Sequence, residues 1–310
     1  YPIVLGHEGA GIVEQTGENV KSVRPGDHVV LSYSSCGSCP NCYDAKPYAC
    51  DQMFQLNFGG KMPDGTTRLK LEDGTEVASF FGQSSFSQYA VVHERNVVKV
   101  PKEIPLKILG PLGCGIQTGC GAVLNKLKPR AGSSMVVFGC GSVGLSAVMA
   151  GTIAGCTTII AVDVHEHRLK LAQQFGATHA VNPLNADCVA EIRRLTNGGA
   201  NYSLETSGRV AVLRQAVNCL APLGTCAVIG APPVGTEVSL DIQTLRRERT
   251  ITGVVEGSAH PQVFIPQMIN LYRKGKLPFD QLITFYPLDE INQAVEDAEQ
   301  GIAVKPVILF

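Results

Sequence analysis

Over the first hundred residues the apolar positions fall in short β-branched or alternating runs, GAGIVEQTG, GDHVVLSY, FSQYAVVH and NVVKVP, separated by Gly, Pro, Asp and Asn. Such runs fit short strands with one face on a core. They predict a small, irregular, barrel-like β domain. From Ser133 the texture changes. Wholly apolar runs (SMVVFG, TTIIAVD, HAVNP, YSLETSG, TCAVIGAP) alternate with the helical patterns GLSAVMAGTIAG, EHRLKLAQQFGA, CVAEIRRLTNGG and VAVLRQAVNCLAPLG. Apolar strands joined by amphipathic helices predict a parallel sheet covered on both faces. Beyond TITGVV the tail predicts a helix over Pro261–Lys274, another over Leu288–Glu299 and a final strand KPVILF. The predicted fold class is α/β plus β.

A chain of 310 residues is long for one core and comfortable for two. Apolar residues make up 45%, and 26 Lys and Arg face 27 Asp and Glu. A large interior is therefore available, and the basic footprint of a nucleic-acid partner is missing. No run of eighteen apolar, uncharged residues predicts a membrane span.

Cysteine usage changes the picture most. Ser35–Cys50 reads SCGSCPNCYDAKPYAC and spaces Cys36, Cys39, Cys42 and Cys50 as C-x2-C-x2-C-x7-C. The other seven cysteines are scattered, mostly in apolar stretches, as reduced thiols would be. With no apolar leader apparent, the expected location is cytoplasmic, which argues against two disulfides here. An iron–sulfur run closes after three residues and continues into proline, whereas the last gap here is seven. A closed tetrahedral zinc site fits best. Full coordination leaves no position open for chemistry, so this lobe is expected to be a structural staple.

The stretch VVFGCGSVGLSAVM places Gly139, Gly141 and Gly144 as G-x-G-x-x-G after a strand and before a helix. Those glycines allow, in turn, a tight turn, close approach of a pyrophosphate, and close helix–strand packing. The anion then sits on the helix N-terminus. The next strand ends in Asp163, which suits an adenosine ribose and repels a 2′-phosphate. This context predicts NAD in preference to NADP. Asp163 also reads as a helix-capping acid, and Arg168, one turn on, reads either as a ribose neighbour or as surface charge.

Taken together, the cysteine lobe, the β-rich first part and the dinucleotide-binding second part resemble the zinc-dependent medium-chain alcohol dehydrogenases along the whole chain. GHEGAGIVEQTGENVKSVRPGDHVV, PLGCGIQTGCGA and VFGCGSVGLSAVM carry the resemblance. FFGQSSFSQYAVVHERNVVKV and GVVEGSAHPQVFIPQMI are most similar to the bacterial aryl-alcohol (benzyl-alcohol) branch. The resemblance implies a GroES-like irregular β-barrel catalytic domain over 1–115 and 256–310, and a Rossmann NAD-binding domain over 116–255. It implies two zinc ions, one structural and one catalytic, with NAD as hydride acceptor. His7 and Cys114 become ligands of the catalytic zinc and Glu8 the acid close behind it. Zinc would ease deprotonation of the alcohol, whose alkoxide gives hydride to the nicotinamide. Thr118 is expected near the nicotinamide and Val143 against the cofactor.

The family pattern also places a zinc-ligating cysteine about twenty residues before the histidine, a relay hydroxyl two residues after it, and a basic residue for the pyrophosphate. All three would precede Tyr1, so the expectation is a chain lacking its N-terminal segment. By the same resemblance Ser32, Phe80, Phe81, Ala231 and Val255 line the substrate pocket, with Glu256 near its mouth. That lining suits a primary benzyl, cinnamyl or allylic alcohol, although a long-chain or terpenoid alcohol also fits and the two phenylalanines could simply pack an interface. The strand RTITGVV is expected to pair with its copy in a homodimer or homotetramer. A zinc-ribbon nucleic-acid module and a non-catalytic NAD-binding protein are the other classes. The first needs a basic surface, and the second has no use for His7 with Cys114.

Overall fold

The computed structural model describes residues 2–310. Two compact units emerge, one running to Gln117 and resuming over Ala259–Phe310, the other being Thr118–Ser258.

The first unit begins with six short strands: β1 (Ile3–Val4), β2 (Ala10–Ile12), β3 (His28–Leu31), β4 (Leu69–Lys70), β5 (Glu76–Ser79) and β6 (Val97–Lys99). They form two three-stranded sheets, β1-β5-β4 and β2-β3-β6. Val29, Leu31 and Val97 bury one face of the second sheet, with Val13, Val23 and Val92 packed on them. The run FSQYAVVH forms no strand, contrary to its alternating pattern. Its backbone is turned aside by Ser87, whose hydroxyl donates to the carbonyls of Ser84 (2.9 Å) and Tyr89 (2.7 Å).

The second unit holds β7 (Ser134–Phe138), β8 (Thr158–Val162), β9 (His179–Val181), β10 (Ala200–Glu205), β11 (Leu220–Val228) and β12 (Thr250–Gly253). All pairings are parallel, in the order β12-β11-β10-β7-β8-β9. The chain therefore winds outward from β7 in one direction, returns to β10, and winds outward in the other. Between the carboxyl ends of β7 and β10 such a sheet leaves a crevice. Helices Ser142–Ile153, Glu166–Gln174, Cys188–Leu195 and Val210–Asn218 connect the strands. Asp187 caps the third by accepting the Ala190 N–H at 3.1 Å. Val136, Phe138, Ile160, Ile192 and Leu220 lie in one buried cluster.

One expected helix is shorter than its pattern. VAVLRQAVNCLAPLG is helical only to Asn218, and β11 already starts at Leu220. Pro222 has no N–H to donate, and Leu223 is left-handed at φ 65°. The pairing of β11 with β10 accordingly slips, jumping from Leu220 to Thr225.

The first unit closes with helix Pro261–Arg273, helix Ile291–Glu299 and the parallel pair β13 (Ile283–Pro287) and β14 (Lys305–Leu309). The predicted helix over Leu288–Glu299 opens as a 3-10 turn over Leu288–Glu290.

Candidate functional site

Gly6, left-handed at φ 92°, swings the chain into His7 and Glu8. The buried amide of Gln83 then fixes this turn. Its Nε2 donates to the carbonyls of His7 (3.0 Å) and Ser32 (3.2 Å), and its Oε1 accepts the Gly9 N–H (3.2 Å). Cys114 arrives from the 3-10 turn Gly110–Gly113. A Cβ on Gly110 or Gly113 would collide with the carbonyls of Glu8 and Leu31, so the two segments approach this closely only through glycine. Ser32 is fully buried, and its hydroxyl donates to the Gly113 carbonyl at 2.7 Å, bracing the turn before Cys114.

One donor atom each from His7, Glu8 and Cys114 lie within 4.8 Å of one another. Glu8 is held from two sides: Oε1 accepts the Gly115 N–H at 2.7 Å, and Oε2 pairs with Lys305. Burial is the main cause that pushes the His7 pKa down, with Lys305 adding to it. Neutral imidazole is the metal-binding form. A nitrogen and a sulfur donor with a carboxylate alongside are ligand types that zinc takes.

In the lobe, the four sulfurs of Cys36, Cys39, Cys42 and Cys50 also lie within 4.8 Å of one another, and all eleven cysteines are unbridged. The Cys36 and Cys42 sulfurs are 3.9 Å apart. A tetrahedron with zinc–sulfur bonds of about 2.3 Å has an edge of about 3.8 Å. Backbone N–H groups already point at sulfur, from Ser38 (3.4 Å) and Cys39 (3.3 Å) to Cys36, and from Cys36 (3.3 Å) to Cys50. The Ser38 N–H is the main cause that lowers the Cys36 thiol to about 6, while burial raises Cys42 to about 12.

In the second unit, Gly139 follows β7 at φ 92°, and a Cβ on it would stand 2.6 Å from the Thr206 hydroxyl. That hydroxyl donates to the carbonyls of Phe138 (2.9 Å) and Gly139 (3.0 Å), closing the turn onto the end of β10. A Cβ on Gly144 would strike the Gly139 carbonyl, whereas the space beside Gly141 is open. An approaching pyrophosphate needs that vacant side. Asp163 is only 8% exposed. It accepts the Cys140 N–H at 2.7 Å and the His165 N–H at 2.9 Å, tying the glycine turn to the end of β8. Arg168 keeps a buried Nε without a hydrogen-bond partner. Thr118 is buried, and the adjoining Gly119 lies flush against the Val143 carbonyl.

Phe80 and Phe81 stand against the His7 ring, with centroids 5.5 and 4.7 Å away. Ala231, Val255 and Glu256 belong to the second unit, the first two exposed and Glu256 buried. Lys305 and Gln83 escaped the sequence reading. Their contacts with the corner span hundreds and tens of residues, and no local spacing announces them.

Residues 1–102 match the alcohol dehydrogenase GroES-like domain and residues 142–274 the zinc-binding dehydrogenase domain. The chain is 46% identical to a geraniol dehydrogenase of Castellaniella defragrans, matching all of this chain and 84% of that protein. It is 37% identical to an S-(hydroxymethyl)glutathione dehydrogenase of Paracoccus denitrificans, over all of this chain and 85% of the relative. Among solved structures, a benzyl alcohol dehydrogenase from Acinetobacter calcoaceticus superposes with a TM-score of 0.95 at 49% identity. It matches 99% of this chain and 84% of its own. With its two domains, its donor clusters and these relatives, the chain belongs to the zinc-dependent medium-chain alcohol dehydrogenases.

Proposed function

We propose that this alcohol dehydrogenase oxidises a primary allylic or aryl alcohol to the aldehyde, with NAD as hydride acceptor. The observation that carries the reading is the corner of His7, Glu8 and Cys114 with the Phe80 and Phe81 rings set against it. His7 and Cys114 are the residues that hold the catalytic zinc, and Cys36, Cys39, Cys42 and Cys50 hold the structural one. Zinc at the corner supplies Lewis acidity, which makes a hydroxyl easier to deprotonate. Glu8, anchored by Lys305 and the Gly115 N–H, keeps a negative charge beside the two ligands. The phenylalanine rings give the organic part of the substrate an apolar wall and keep water off it.

For the cofactor, the turn over Gly139, Gly141 and Gly144 receives the pyrophosphate on the N-terminus of helix Ser142–Ile153. Asp163 meets the adenosine ribose and repels a 2′-phosphate, which selects NAD. Arg168 has an unused buried donor on the same side of the fold, five residues beyond Asp163. Thr118 and Val143 flank the nicotinamide. The relatives named for geraniol and benzyl alcohol support the substrate class, since both alcohols carry an unsaturated group next to the hydroxymethyl carbon. The free edge of β12, at one end of the six-stranded sheet, supports a homodimer or a larger assembly built on it. A single monomeric species in sedimentation would argue against that assembly.

The deciding experiment measures NADH formation with benzyl alcohol, cinnamyl alcohol, geraniol, ethanol and S-(hydroxymethyl)glutathione. Allylic and aryl alcohols are expected to exceed the other two in kcat/KM by at least about tenfold, or 1.4 kcal/mol. Preference for ethanol or for the glutathione adduct would overturn the substrate class.

A further inference from the structure

The aromatic wall does not stop at Phe81. Helix Met53–Phe58 places Phe54 and Phe58 four residues apart, on one face, with ring centroids at 5.3 Å. Phe58 in turn meets Phe81 at 5.1 Å and Phe80 at 5.8 Å, both edge to face. Phe81 meets His7 at 4.7 Å. Three ring-to-ring steps therefore lead from a zinc-ligand candidate out to solvent, where Phe58 is 51% and Phe54 72% exposed.

The wall is held rigidly from behind. Asn57 is fully buried; its Nδ2 donates to the carbonyls of Ser34 (3.0 Å) and Met53 (2.8 Å), and its Oδ1 accepts the Ser34 N–H (2.8 Å). The Asn57 carbonyl accepts the Phe81 N–H at 2.8 Å. Phe81 sits at φ 53°, a left-handed conformation that a bulky residue keeps only where the surroundings enforce it. Here they do. The Phe81 carbonyl accepts from Asn96 Nδ2 and Ser34 Oγ, each at 3.3 Å. The backbone on either side of the wall, at Asn57 and Phe81, is thus fixed before anything binds, so a ligand covering the wall loses little entropy in ordering that backbone.

We propose that Phe58 and Phe54 hold the hydrocarbon tail of a long allylic alcohol, and that these two rings set how the protein grades its substrates by length. The proposal rests on the alcohol-oxidising reading above. The occupant follows from continuity with the His7 corner: a molecule whose hydroxyl is at the corner and whose body lies on Phe81 runs next over Phe58. Large apolar side chains left exposed in a contiguous row beside a reaction centre mark a surface awaiting an apolar partner. Flat, unsaturated chains stack on such rings with little steric penalty. Phe58 serves the second segment of the tail and Phe54 the third.

The test uses 3-methylbut-2-en-1-ol, geraniol and farnesol, which lengthen by one isoprene unit each. Wild-type kcat/KM is expected to rise along the series. Phe58→Ala should lower the farnesol-to-methylbutenol ratio of kcat/KM at least tenfold, mainly through KM, and Phe58→Leu should restore most of it. Phe54→Ala should lower the farnesol-to-geraniol ratio at least threefold. Ratios unchanged in Phe58→Ala would overturn the proposal. Calorimetric binding of the same alcohols needs no turnover and separates the two readings. Length-dependent binding that Phe58→Ala abolishes, without any oxidation, would sink the oxidation and keep the wall. Binding indifferent to length would sink the wall alone. Loss of self-association in Phe58→Ala with the length dependence intact would assign the face to a second copy of the chain and overturn the proposal.

Discussion

Replacing Asp163 by glycine should damage the second unit in two separable ways. The carboxylate accepts N–H groups of Cys140 and His165 at 2.7 and 2.9 Å, from a position almost wholly out of water. Hydrogen bonds to a charged group contribute about 1.5–3 kcal/mol each. Water entering the vacated space recovers part of that loss, which leaves a net cost of about 3 kcal/mol. For a unit of this size each kcal/mol shifts Tm by roughly 2–4 °C, so a fall of roughly 6–12 °C is expected. The same substitution removes the charge that opposes a 2′-phosphate, and the NAD-to-NADP ratio of kcat/KM should drop at least about tenfold. Asp163→Asn keeps one accepting oxygen but turns an NH2 toward the other N–H. It should fall between wild type and glycine in Tm while losing most of the cofactor selectivity. Thermal unfolding followed by fluorescence, with initial rates on both cofactors, gives both numbers. A Tm for Asp163→Gly within about 2 °C of wild type would refute the tying of the glycine turn. A ratio shift under about tenfold would refute the ribose assignment.

Gly144→Ala puts a Cβ into the Gly139 carbonyl, so calorimetry should find NAD binding weakened at least tenfold; an unchanged Kd would place the cofactor elsewhere. Cys42→Ser should remove one zinc per chain by metal analysis and lower Tm more than it lowers turnover per folded molecule; undiminished zinc content would contradict the four-sulfur site. Gln83→Leu strands the His7 and Ser32 carbonyls and the Gly9 N–H, each worth about 1–3 kcal/mol when buried. It should loosen the His7 corner and reduce its metal occupancy while the lobe keeps its zinc, and equal loss from both sites would refute the clamp. Asp27 is held below the ordinary carboxylate range first by Lys99 and then by the Arg24 N–H. A depressed folded value means that its stabilisation is present above an unfolded pKa of about 4 and is lost as pH falls through the folded one. The Tm advantage of wild type over Asp27→Asn should accordingly shrink below about pH 4, and a constant gap down to pH 2 would show that the pair is not the cause.

The parts of the fold that follow from local chemistry were legible in the chain. Alternation of apolar strands with helices predicted the parallel sheet, because strands covered on both faces must be apolar throughout. Gly139 and Gly144 were legible because only glycine fits where Thr206 and the Gly139 carbonyl press in, and Gly141 because its spacing completes the turn while the side next to it stays open. The four lobe cysteines needed only their spacing. FSQYAVVH misled because a serine hydroxyl competes with strand pairing, a contest that periodicity does not record. CLAPLG misled because a proline can sit in a slipped strand as well as at a helix end. What supports the site, namely Gln83 under His7, Asn57 under Phe81 and Lys305 against Glu8, consists of long-range contacts. Each joins a polar group to a segment far away in sequence, so no local window of the chain contains both partners.

The first unit is assembled from two stretches separated by the whole of the second. During synthesis, His7, Glu8 and Cys114 leave the ribosome well before Lys305, the partner of Glu8, has been made. At about 5–20 residues per second the chain between Cys114 and Lys305 takes roughly 10–40 s to appear. Throughout that interval the early half carries thiols and a histidine in an unfinished barrel, exposed to stray metals and to other chains. The lobe cysteines lie within fifteen residues of one another and can close on zinc without waiting for anything downstream. The staple thus gives the waiting segment one closed, locally built site while the distant partners of its His7 corner are still to come.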